Sequence, residues 1–162
     1  MPYNRLLQSV QVTLKNRTQR DFLLAMDEIV DFCLEHENGK VFDGWDKELI
    51  RLMVAYHWAK KTIIVHYNDE DNIQGVFMWY NCNEDDEWEF INGWEADRED
   101  GDSIFLAFLF AKEKDSLKKM TKNFLARCPE VLEKNKISIR QKNGVPTRVN
   151  YDNRIFKKIL NN

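Results

Sequence analysis

Apolar positions recur at helical spacing in two early stretches of the chain. Over residues 20–37, Phe22, Leu23, Met26, Ile29, Val30 and Cys33 form one stripe among acidic and polar neighbours, and Gly39 supplies a stop. Residues 45–59 repeat the pattern with Trp45, Leu49, Ile50, Met53, Val54, His57 and Trp58. Two amphipathic helices therefore come first. The period then shortens: TIIVHY (62–67) is β-branched, NDEDN is a turn, and IQGVFMWYNC (73–82) resumes the apolar run, which predicts an antiparallel hairpin. After the acidic loop NEDDE, WEFINGWEA (88–96) alternates Trp88, Phe90, Asn92 and Trp94 with Glu89, Ile91, Gly93 and Glu95, and reads as a third strand. Gly93 inside it marks a bulge or a close backbone approach.

Beyond REDGD (98–102), Ile104, Phe105, Phe108, Leu109, Leu117, Met120, Phe124 and Leu125 fit the buried side of one long helix, capped by Asp102 or Ser103 and reaching Arg127 before Pro129. KISIRQ (136–141) alternates as a strand, NGVPTRVNY (143–151) adds a turn and a short strand, and RIFKKIL (154–160) reads as a half-buried helix or strand. The pattern contains no repeat, low-complexity tract or linker. It predicts one α+β domain over residues 1–162, with N-terminal helices followed by a mostly antiparallel sheet flanked by a long helix.

Composition supports a packed core: 43% of residues are hydrophobic, with ten Phe, five Tyr and five Trp. The net charge of -3 provides no long-range field for a phosphate backbone, so nucleic acid is not an expected partner. Lys112, Lys114, Lys118, Lys119 and Lys122 read as a solvated helix flank. The basic stretch from Lys134 to Lys158 contrasts with the acidic residues 68–102, a dipolar layout suited to steering a protein partner. The three cysteines, Cys33, Cys82 and Cys128, are far apart and odd in number, as expected of reduced thiols. FLAFLF (105–110) is much too short to cross a bilayer. A cytoplasmic location, or incorporation into an assembly formed there, is the expectation.

Chemistry-bearing residues form no recognised motif. His36, His57 and His66 come with neither a CxxC pair nor an HExxH, and a register begun at Glu95 or Asp97 puts Gly101 at the wrong place for an EF-hand loop. No metal site is expected. His57, in AYHWAKK, is either a packed core histidine or a general base, and His66 is either a cross-strand residue or the same. Glu89 and Glu95 are candidate bases if buried, because burial would raise their pKa, and solvated edge carboxylates otherwise. Five tryptophans are many for such a chain to hide: they are either core residues, as the apolar neighbours of Trp79 and Trp88 suggest, or in part surface anchors for a protein interface.

Element order, together with WEFINGWEADREDG, the long helix and KISIRQKNGVPTRVNYDNRIFKKIL, resembles the GNAT-like acyltransferase fold, and within it the bacterial toxin-activating lysine acyltransferases. The resemblance implies a coenzyme A thioester as cofactor, with its pyrophosphate at the turn opening the long helix, where Arg98, Gly101 and Ser103 stand. It also implies His57, Glu89 or Glu95 as the base. Glu95, Asp97, Glu99, Asp100 and Asp102 would repel a pyrophosphate at that turn. The fold is therefore also expected without catalysis or cofactor, as a structural or protein-binding module of a larger assembly, of the kind also known among bacteriophage virion proteins.

Overall fold

The computed structural model describes residues 19–36, 42, 44–84 and 97–161. Helix α1 spans Gln19–His36 and α2 spans Lys47–Lys60. Asp46 caps α2 by accepting from the Glu48 amide at 3.1 Å. The helix ends at Lys61, in the left-handed region at φ 60, whose amide bonds back to the last turn. Two ion pairs tie the helices together: Arg51 to Asp27 at 2.7 Å and Lys47 to Asp31 at 3.2 Å.

The sheet follows as β1 (Ile63–Tyr67), β2 (Ile73–Cys82), β3 (Ser103–Ala111), β4 (Asn135–Lys142) and β5 (Val145–Tyr151), adjacent in chain order. Helix α3 (Lys114–Arg127) and a 3₁₀ turn (Pro129–Glu133) cross from β3 to β4, and α4 (Arg154–Leu160) follows β5. Adjacent strands run antiparallel except β3 and β4, which the crossover makes parallel. That parallel pair lasts for three positions, Ser103 with Asn135, Ile104 with Lys136 and Phe105 with Ile137. Both strands continue extended beyond it. Asn143 (φ 53) and Gly144 (φ 77) form the two-residue turn between β4 and β5, with the left-handed pair of residues such a turn requires.

Helices cover both faces. On one, Met26, Ile29, Val30, Ile50, Met53 and Val54 of α1 and α2 pack with Ile63, Val76, Met78 and Phe110. On the other, Met120 and Phe124 of α3 and Phe156 of α4 pack with Ile64, Phe77, Trp79 and Ile104. Phe124 meets the Phe77 and Trp79 rings edge-on, at centroid distances of 4.9 and 4.8 Å.

The segment expected as the first half of a long helix is β3. Covered on both faces, it is apolar on both: Ile104 and Leu106 point toward α3, Phe105 and Phe110 toward the opposite side. Such a strand has no alternation to distinguish it from a helix. The long helix is therefore shorter than expected, beginning at Lys114, and Ser103 starts a strand instead of capping a helix. WEFINGWEA lies outside the described residues, and SIFLAFLFA is the third strand of the described sheet. RIFKKIL is helical.

Candidate functional site

His57 lies in the last turn of α2, 1% exposed, and its Nδ1 is 2.9 Å from Thr62 Oγ1. Burial pushes its pKa down to about 3, against weaker upward pulls from the Thr62 and Trp79 backbones. Its ring sits 6.1 Å from that of Tyr80 and edge-on to that of Tyr56. A neutral imidazole sealed from water joins the helix end to the sheet; it reaches no surface from which to take a substrate's proton. Next to it, Tyr56 donates its hydroxyl to Asp97, and Lys60 Nζ lies 3.5 Å from the same carboxylate, whose side chain is 4% exposed. Burial, and then the hydrogen bond to Asp97, push the Tyr56 phenol far up. Asp97 thereby fastens the chain entering β3 to α2.

Arg98, Gly101 and Ser103 do come together, in a polar clasp at the end of β2. The Arg98 amide donates to Asn81 O at 3.0 Å, and the Gly101 amide to Arg98 O at 3.1 Å. Gly101 is buried against Cys82: a Cβ there would lie 2.4 Å from the Cys82 carbonyl oxygen. Asp102 accepts from the Glu84 amide at 2.9 Å and from Ser103 Oγ at 2.8 Å, and its own amide donates to Asn83 Oδ1. The Ser103 hydroxyl, then the Glu84 amide, hold the Asp102 carboxyl below its ordinary range. The turn opens a strand, so the helix N-terminus on which an anion-binding role was expected stands at Lys114 instead. Glu89, Glu95 and Gly93 lie outside the described residues.

All three cysteines are buried. Burial pushes the Cys33 thiol up to about 12, and burial followed by hydrogen bonding to Glu130 does the same to Cys128, so neither is a thiolate near neutrality. Among the described residues no group of three or more His, Cys, Asp or Glu could hold a metal ion. His66 faces Gly75 across the β1–β2 ladder, half-buried, its Nδ1 without a hydrogen-bond partner among the described residues. Lys136, 3% exposed, donates to Val131 O at 3.0 Å and Lys134 O at 2.7 Å beneath the Phe156 ring, holding the 3₁₀ turn against α4.

Of the described tryptophans, Trp79 is buried and Trp45 and Trp58 are half-buried against the α1–α2 core; Trp88 and Trp94 lie outside the described residues. Leucines are exposed on several elements. Leu23 and Leu24 on α1, Leu49 on α2, Leu109 on β3 and Leu132 on the 3₁₀ turn are all exposed. Leu132, Phe156 and Leu160 also line a groove of about 490 Å³, together with Arg154 and Lys157. Leu23, Leu49 and Leu109, read from their spacing as members of buried stripes, are exposed instead, because spacing does not record where a neighbouring element stops covering a face.

The class this architecture defines is a mixed α+β domain, helices flanking a five-stranded, mostly antiparallel sheet. Compared with protein-family models the chain matches none, and no curated protein matches it either. No helix among the described residues is long and apolar enough to cross a membrane.

Proposed function

We propose that this chain is a non-catalytic protein-binding module, a GNAT-like scaffold serving as a subunit of a larger assembly such as a virion. The observation carrying this reading is that the candidate polar residues among the described ones are committed to neighbours. His57 is neutral and sealed beneath α2, while Arg98, Gly101, Asp102 and Ser103 hold the β2–β3 junction together. Exposed leucines on α1, α2, β3 and the 3₁₀ turn are compatible with contact to another protein.

A second reading, coenzyme A-dependent acyl transfer to a protein or small amine, is favoured by one feature. The β3–α3–β4 crossover joins two parallel strands that part after three residue pairs, leaving a gap beside the start of α3. In that reading the pyrophosphate would sit at Lys112–Ser116, where Glu113 and Asp115 offset Lys112 and Lys114, and not at residues 98–103. Calorimetric titration with coenzyme A and with acetyl-coenzyme A at moderate salt separates the two. The protein-binding reading expects no saturable heat from a folded sample, and one-to-one binding of either compound overturns it.

A further inference from the structure

Beyond the third pair β3 and β4 no longer pair, and the direction of their backbone there follows from the hydrogen bonds beside it. Trp79 N donates to Thr62 O at 3.2 Å, so the Trp79 peptide groups face β1. Antiparallel alternation then turns Val76 and Met78 toward β3, bonded to their register partners Phe110 and Phe108. Leu109 and Ala111 are left with amide and carbonyl aimed at β4. On β4, the tight turn makes Lys142 and Val145 the first bonded pair, followed by Arg140 with Thr147 and Ser138 with Val149. Ile139 and Gln141 therefore aim their peptide groups back at β3. None of these four residues pairs across the gap. Where the strands part, Ser138 Oγ donates to Leu106 O at 3.2 Å, a side chain standing in for the ladder. Two unpaired strand edges face each other within a sheet, and such edges are templates for an extended chain.

We infer that this gap receives an extended peptide segment of a partner protein, added as a strand between β3 and β4 and acidic on one face. The inference rests on the protein-binding reading and specifies its partner. Side chains and charge set the occupant's chemistry. On the α1–α2 side the gap is bordered by Ala107 and Ile139, which call for apolar residues. On the α3–α4 side stand Leu109, 47% exposed, and the exposed Arg140, held over the Tyr151 ring. Strands β3 and β4 contain no acidic residue, so no carboxylate on either strand offsets Arg140, whereas Lys136 is buried on the Val131 and Lys134 carbonyls. A segment alternating apolar and acidic residues satisfies both sides and all four backbone positions at once.

Amide hydrogen exchange with a capped heptapeptide of alternating valine and glutamate tests this. Saturable slowing of the Leu109, Ala111, Ile139 and Gln141 amides by about tenfold or more is expected, and Arg140→Glu should raise the peptide concentration required by about tenfold. No slowing at millimolar peptide overturns the inference alone. Equal slowing by a peptide N-methylated at alternate amides also overturns it, since strand pairing would not be the mode of binding. Protection by coenzyme A and not by peptide overturns both this inference and the protein-binding reading. Protection that grows with protein concentration and without peptide assigns the gap to a second copy, and overturns the choice of partner.

Discussion

Strands β2 and β4 are both interior to the sheet, yet they are held in opposite ways. β2 is paired along most of its length with β3 and over its first half with β1, and α3 lays Phe124 across its Phe77 and Trp79. β4 is paired from Lys136 to Lys142 with β5 but over three positions with β3. The difference separates two kinds of capability. In the closed half, polar groups such as His57, Arg98 and Asp102 are committed to neighbours, and what they provide is stability. In the open half, the exposed commodity is the main chain, which recognises another main chain more readily than it performs chemistry.

The largest effect is expected where the closed half is densest. Phe124→Ala removes a ring that is 2% exposed and touches Phe77, Trp79 and Phe156. A loss of about 4 kcal/mol in unfolding free energy is expected from urea denaturation. Ile139→Ala, half-buried beside the gap, should cost less than about 2 kcal/mol. Equal losses would erase the contrast between the halves.

His57 sharpens the same contrast through pH. Its folded pKa, about 3, is below the ordinary 6.5, so between these values the unfolded chain binds a proton that the folded protein does not. Stability is therefore complete above about pH 6.5 and falls as pH drops, by about 1 kcal/mol per unit until about pH 3. His57→Leu should cost about 2 kcal/mol at pH 7, leaving Thr62 Oγ1 without this partner. The deficit should shrink and then reverse on acidification, because the variant lacks that proton uptake. Denaturation midpoints of the two proteins measured from pH 7 to pH 4 check the sign; parallel curves would mean that His57 titrates in the folded state.

Much of the closed half was legible. The stripes over residues 20–37 and 45–59 correspond to Gln19–His36 and Lys47–Lys60, and the hairpin of TIIVHY and IQGVFMWYNC forms as read. NGVPTRVNY turns at Asn143 and Gly144, where the chemistry of the turn is written in the residues themselves. β3 was not legible because both of its faces are apolar, and because Lys112 and Glu113, which separate it from α3, include neither Gly nor Pro to mark the break. That one misreading displaced the candidate anion site from Lys114 to Ser103. His57 could be narrowed to a core residue or a base from its apolar helix, but the choice depended on how closely β2 packs over it, which spacing along one helix does not encode. The gap was illegible for a related reason: β4 alternates like any paired strand, and nothing in KISIRQ records where its parallel neighbour leaves it.

The smallest expected change addresses the point of divergence itself. Ser138 Oγ is the described side-chain bond between β3 and β4 just beyond their last ladder pair. Ser138→Ala should cost about 1 kcal/mol, the net worth of one hydrogen bond with the Leu106 carbonyl left behind. If the strands part as described, exchange in the unmodified protein should alternate along β3: the Phe108 and Phe110 amides, bonded to β2, slow, and the Leu109 and Ala111 amides faster by about a hundredfold. Ser138→Ala should leave that alternation in place while loosening the nearby Ile137 amide. A neutral substitution together with uniform protection from Phe108 to Ala111 would mean that β3 and β4 pair along their full length in solution, and the two halves of the sheet would then differ in strand direction but not in openness.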